Sequence, residues 1–161
     1  MTRKGNVMTD VATIPAAAGT APERNKRLVE TFQREVLHRG NYGRAAEWAH
    51  EDLVIHLPPG IPPGLENALG WFATCAEWFT STGIEIMFSV ADEDTVFQLI
   101  TLNFQHTGDY LGIPPTAKHF SIAGLAAFKI RDGKIAEHWG MYDLDSIPAQ
   151  LGVEPPAWPS A

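Results

Sequence analysis

From Leu28 onward, apolar residues return every three or four positions: Leu28, Val29, Phe32, Val36 and Leu37, with charged residues between them. That spacing predicts an amphipathic helix, closed by Gly40. A shorter helix is predicted over Tyr42 to Ala49, with Ala45, Ala46, Trp48 and Ala49 as its apolar set. Leu53 to Leu57 reads as a short strand. The four prolines and one glycine of Pro58 to Pro63 suit neither a helix nor a ladder, so this segment is a loop. A third helix follows, from about Leu65 to Thr80. It carries two adjoining apolar stripes: Leu69, Phe72, Ala76 and Phe79, and beside them Trp71, Cys75 and Trp78. An apolar surface this broad belongs to a helix buried on more than one side, or facing a cavity.

After Gly83 the period changes to two. Strands are predicted over Ile84–Val90, Thr95–Thr107, Phe120–Ile130 and Lys134–Tyr142. Asp92 to Asp94 is a polar turn, and Gly108, Gly112, Pro114 and Pro115 mark a loop. Asp132-Gly133 is a favoured two-residue hairpin turn. Ser146 to Leu151 reads as a short helix. Residues 1–22 are rich in Ala, Thr, Gly and Pro without periodicity and read as a flexible leader. The domain spans 23–152, and 153–161 form a proline-rich tail. Helices followed by long antiparallel strands define an α+β fold, with helices packed on one face of a curved sheet. Such a sheet bent around a long helix encloses a cone-shaped cavity, a natural small-molecule pocket.

Composition narrows the partners. The 161 residues are 45% hydrophobic and 19% charged, a balance that supports a core without disulfide or metal. The net charge of -7, with no basic stripe, argues against nucleic acid and anionic membrane. No apolar run is long enough to span a bilayer, and the N-terminus lacks a signal-type apolar core. Cys75 is the only cysteine, so neither an intrachain disulfide nor a cysteine zinc cluster is expected. A cytoplasmic location follows as the simplest expectation. No metal-ligand spacing, phosphate loop or dinucleotide fingerprint is present, so no metal and no cofactor are expected.

The second half carries the run His106-Thr107-Gly108-Asp109-Tyr110-Leu111-Gly112-Ile113-Pro114-Pro115-Thr116-Ala117-Lys118. Further on stand Ile130-Arg131-Asp132-Gly133-Lys134-Ile135-Ala136-Glu137-His138-Trp139, then Asp143, and finally Gln150-Leu151-Gly152. Over residues 24–152 the chain resembles the SnoaL-like polyketide cyclases, also called ester cyclases. These belong to the nuclear transport factor 2-like (cystatin-like) superfamily, with ketosteroid isomerase, scytalone dehydratase and limonene epoxide hydrolase. The resemblance implies a small-molecule substrate and a homo-oligomer, first of all a dimer, formed through the open sheet face. It also implies ring closure by an intramolecular aldol-type step with a carboxylate as general acid/base. That carboxylate stands two residues after the His of the Glu-His-Trp segment, which here is Gly140. A second polar position of some cyclases, a His on the preceding strand, aligns with Ala126, and an Arg of the central strand aligns near Leu99. The scaffold therefore resembles the cyclases while three of their polar positions are Gly, Ala and Leu.

Strand alternation puts His138, Gly140 and Tyr142 on one face. His138 is either a proton donor and acceptor, since a free imidazole titrates near pH 6.5, or a buried strand histidine. Tyr142 is suited to donating a hydrogen bond to an enolate or carbonyl oxygen. His56, at the end of the first strand, either orients a carbonyl or lies at the surface. These three are the candidate catalytic residues. Trp71 and Trp78 are either core or the aromatic wall of a pocket. With them, Leu99, Thr101, Ala126, Phe128, Gly140 and Asp143 make up the expected lining, Asp143 being better suited to capping a turn. A pocket so depleted of polar side chains suits a bulky, apolar ligand held in a closing shape. Proximity and orientation alone can lower a barrier by about 7–11 kcal/mol. Cyclisation or isomerisation of a polyketide-like intermediate is the leading reading. The alternatives are an epoxide hydrolase or epoxide-opening cyclase, in which Asp143 or Asp109 activates water, and a non-catalytic binding protein.

Overall fold

A computed structural model describes residues 19–153. Most of the expected leader and nearly all of the expected tail lie outside the described residues. Thr20 opens helix α1 (Ala21–Phe32), where its backbone N–H is received by the Glu23 carboxylate at 2.8 Å. The helix continues as a wider π-helical segment, Gln33–His38, and the chain leaves it through Gly40. Tyr42–Glu47 is a 3-10 helix. Strand β1 (Ala49–Ile55) and helix α2 (Leu65–Trp78) follow, separated by the proline loop. Four strands complete the sheet: β2 (Phe79–Ala91), β3 (Thr95–His106), β4 (His119–Arg131) and β5 (Lys134–Tyr142). A 3-10 turn, Leu144–Ser146, leads into α3 (Ile147–Leu151).

The strand order is β1-β5-β4-β3-β2. The pairs from β2 to β5 are antiparallel, whereas β1 lies parallel to β5, with Ile55 opposite His138. An all-antiparallel sheet would have required β1 to enter the sheet from its other end. Strand β2 starts five residues earlier than the pattern of apolar positions indicates. Phe79 leaves the helix and pairs with His106, and the run Thr80-Ser81-Thr82 extends the strand. Threonine loses χ1 freedom in a helix and packs well on a pleated surface, which moves the boundary towards Trp78. Likewise the segment after Tyr42 is a 3-10 helix, and Ala49 already belongs to β1.

Even-numbered residues of β3 and β4 face the helices, as do those of β5 from His138 on; the register shift between Lys129 and Ile130 brings Ile135 to the same side. Val29, Phe32 and Val36 meet Val96, Ile100, Ala126, Phe128 and Ile135 in the main core. A second cluster gathers Phe79, Tyr110, Phe120, Ile122, Ile147 and Leu151 at the other end of the sheet. The odd-numbered face is open: Phe97, Leu125 and Met141 are 37%, 40% and 62% exposed.

Candidate active site

Strand register sets the inner face out in rows. Val96, Phe128 and His138 form one row; Gln98, Ala126 and Gly140 the next; Ile100, Gly124 and Tyr142 a third. The two glycines explain the position of Tyr142. A Cβ on Gly124 would stand 2.2 Å from Tyr142 Cδ1. One on Gly140 would stand 2.6 Å from Cε2 and 2.9 Å from the phenol oxygen. The ring therefore lies flat on both glycines, with its hydroxyl over Gly140, the position that the resemblance assigns to a carboxylate. Among the described residues that hydroxyl has no hydrogen-bond partner. Burial, with a smaller contribution from Cys75, pushes the phenol up to about 12, so it remains a proton donor at neutral pH.

Helix α2 carries the aromatic stripe. Trp71, Cys75 and Trp78 lie on one stripe, and the two indoles meet edge to face at 6.1 Å. Trp78 also meets the Tyr110 ring at 5.5 Å. Cys75 lies near enough to Tyr42, Tyr110 and Tyr142 to act on the titration of all three. Its own thiol is pushed up to about 11 by burial and is therefore not a nucleophile at neutral pH.

His138 is on the same face as Tyr142 but is sealed. It is 6% exposed, its ring stacks on Phe128 at 4.7 Å, and neither ring nitrogen has a partner. Burial, with a contribution from His56, lowers its pKa to about 4. The folded protein thus holds this imidazole neutral, while the unfolded chain protonates it near pH 6.5. Between pH 6.5 and about 4 the unfolded state binds the extra proton, so stability falls as pH falls through this window. This group alone is expected to cost about 2 kcal/mol on going from pH 7 to pH 5. Urea unfolding of wild type and His138→Phe at the two pH values checks this; an equal pH dependence in both would show that His138 is not the source.

The other expected residues divide by strand parity. Ala126, Phe128 and Gly140 are on the inner face with Tyr142. Leu99 and Thr101 are not: both occupy the outer face, where Leu99 is opposite Leu125 and the Thr101 hydroxyl donates to Met87 Sδ at 3.4 Å. His56 is also on the outer side. It stacks on Trp139 at 4.1 Å and bonds the Glu137 carboxylate at 2.7 Å, although its backbone N–H donates to the His138 carbonyl. Asp143 is exposed and stands at the start of the Leu144–Ser146 turn, but its side chain makes no capping bond. Asp109 accepts the Gly112 N–H. His106 is buried and bonded to Thr116.

One inner residue escaped the sequence reading. Gln98 is fully buried, and its carbonyl oxygen accepts the Gln33 amide at 2.9 Å. The leftover atoms, Gln98 Nε2 and Gln33 Oε1, are buried without partners. The available signal was parity: Gln98 alternates with Val96, Ile100 and Leu102, a polar residue on the apolar side of its strand.

A cleft of about 280 Å³ between the π-helical segment and β2 is lined by Gln33, Arg34, His38 and Ile84. A more open one of about 510 Å³ lies by Asn103, His119 and Gln150. Neither includes Trp71 or Tyr142. Among the described residues, no group of three or more His, Cys, Asp or Glu is placed to hold a metal ion, and no helix is long and apolar enough to cross a membrane.

The family model for SnoaL-like polyketide cyclases matches residues 27–151, and the chain belongs to that family. Among solved structures, IdmH of Streptomyces antibioticus, a candidate polyketide cyclase, is 29% identical with a TM-score of 0.67, covering 80% of this chain and 98% of its own. A candidate SnoaL-like polyketide cyclase of Jannaschia sp. CCS1 is 19% identical at a TM-score of 0.73, covering 86% and 98%. A Catenulispora acidiphila protein described as having a ketosteroid isomerase-like fold is 18% identical at a TM-score of 0.64, covering 82% and 97%. The architecture is thus the nuclear transport factor 2-like one. No curated protein matches the chain.

Proposed function

We propose that the protein is a cyclase or isomerase that closes a ring in a polyketide-like intermediate, in the cytoplasm and without a cofactor. The substrate is held against Trp71 and Trp78, and the Tyr142 phenol polarises an oxygen of the closing ring. The observation that carries this reading is the Tyr142 hydroxyl lying over Gly140, in the place of the family carboxylate. A phenol fixed there donates a hydrogen bond where charge develops, and the wall holds the reacting ends together. Of the three candidate catalytic residues, Tyr142 is the one this reading uses for contact. His138 lies sealed behind it, and His56 is on the other face of the sheet. Epoxide hydrolysis draws less support, because Asp109 is engaged in its own loop and Asp143 lies exposed beyond β5. The test is ring closure of the pathway substrate by wild type and Tyr142→Phe. Unchanged turnover in the variant would remove the phenol from the mechanism, and tight binding with no turnover in wild type would favour a binding protein.

The same reading includes a homodimer through the outer sheet face. Phe97, Leu125 and Met141 form an apolar strip there, with Met87 and Phe88 beside it on β2. Contiguous apolar area of this kind marks an interaction surface. Leu125→Asp is expected to shift the protein to a monomer by light scattering; an unchanged mass for a folded variant would place any interface elsewhere.

A further inference from the structure

We propose that Gln98 is a substrate-contacting residue of this site: held by Gln33, its amide N–H group binds a carbonyl or hydroxyl oxygen of the substrate over Ala126 and Gly140. The inference rests on the pocket reading above and adds to it a residue and a ligand chemistry.

Three observations converge. First, Gln98 shares its row with Ala126 and Gly140, so the two side chains beside it on the sheet are the smallest available. Whatever occupies the space above them faces an amide rather than another aliphatic chain. Second, three of the unpaired buried polar atoms adjoin by register: Gln98 Nε2 belongs to this row, and His138 Nδ1 and Nε2 to the row before it. The Tyr142 hydroxyl, which has no partner among the described residues, reaches over Gly140 from the row after it. Buried polar atoms are nearly always paired, and each left unpaired costs roughly 1–3 kcal/mol. An aliphatic pair in place of Gln33 and Gln98 would avoid that cost. Third, a second donor stands beside this row. The Tyr142 hydroxyl lies over Gly140 and is tied to no described residue, so it is available to an oxygen bound there. Gln33 gives the arrangement its direction. By donating to Gln98 Oε1 it fixes the carbonyl end and leaves the N–H end for an acceptor. Gln98 and Tyr142 then present two donors to one oxygen, a geometry suited to a carbonyl whose charge grows as a ring closes.

The experiment uses the full chain and two probes of nearly equal shape, 1-tetralone and tetralin, which differ by one carbonyl oxygen. Binding is read from tryptophan fluorescence, with Trp71→Phe identifying the reporting residue. Wild type is expected to bind the ketone about five- to tenfold more tightly than the hydrocarbon, the worth of one net hydrogen bond. In Gln98→Met the preference should fall several-fold, to what the Tyr142 hydroxyl alone supplies, and in Gln98→Met/Tyr142→Phe to near unity, while tetralin binding is kept. The double variant Gln33→Met/Gln98→Met removes both amides and is expected to melt no lower than wild type, so the comparison survives if the single variant folds poorly. A preference retained in full by any folded variant overturns the role of Gln98, as does equal binding of the two probes to wild type. Absence of any Trp71-dependent binding of either probe overturns the pocket reading as well.

Discussion

Tyr142→Phe is expected to fold like wild type and to lose about 10²-fold in kcat for ring closure, with KM little changed. Both halves follow from the same geometry. The hydroxyl has no partner among the described residues, so its removal strands no donor or acceptor, and the ring keeps its seat on Gly124 and Gly140. With no bond broken and the ring contacts kept, the change in stability is expected to stay within about 0.5 kcal/mol. The transition state, however, loses a donor at the oxygen where charge accumulates. A fall in kcat at unchanged KM separates that role from plain packing, which would move KM or stability instead. Full activity in the variant would leave shape control as the whole of catalysis.

The second large effect is expected at Gly140. A methyl group there meets three Tyr142 atoms at 2.6, 2.9 and 3.0 Å, closer than real contacts allow. Gly140→Ala must therefore push the ring off the strand, at about 1–3 kcal/mol of stability, and should lose ring closure with it. In a Tyr142→Ala background these three closest contacts are gone, so most of the penalty should vanish. Gly124→Ala provides a contrast, because its methyl also meets the Met141 carbonyl at 3.0 Å and part of its cost should persist in that background. Thermal melts of the two double-mutant cycles measure the coupling. Additive costs at Gly140 would mean that the ring does not rest there.

Much of this site could be read from the chain. Strand alternation placed Tyr142 and Gly140 together, and helical spacing placed Trp71, Cys75 and Trp78 on one stripe, because both periods are fixed by backbone geometry. The family resemblance marks Gly140 as the position where a carboxylate is missing. Periodicity does not say which face of a strand meets the helices once both faces carry apolar residues. That is why Leu99 and Thr101, with apolar neighbours on either side, were expected inside and lie outside. His56 was hidden for a related reason. Its side of β1 is set by pairing to β5, and the parallel sense of that pairing leaves no mark in either segment. Gln98 was overlooked because a lone amide in an apolar strand has no chemistry by itself; it acquires significance only from Gln33, far away in sequence and brought close by α1.

The parallel bond between β1 and β5 also bears on how the protein comes to be made. Every catalytic candidate on the inner face lies on β5, the last strand of the sheet, and that strand is clasped between β4, its neighbour in sequence, and β1, from the first third of the chain. Closing so long a loop is slow, and its entropy must be met before the contacts form. A nascent chain emerging from the ribosome therefore exposes the apolar rows of β3 and β4 before any strand can cover their free edge. Tyr142 lies across Gly124 only once β5 has emerged, so a chain truncated before that residue would keep most of the sheet and lack the phenol over Gly140.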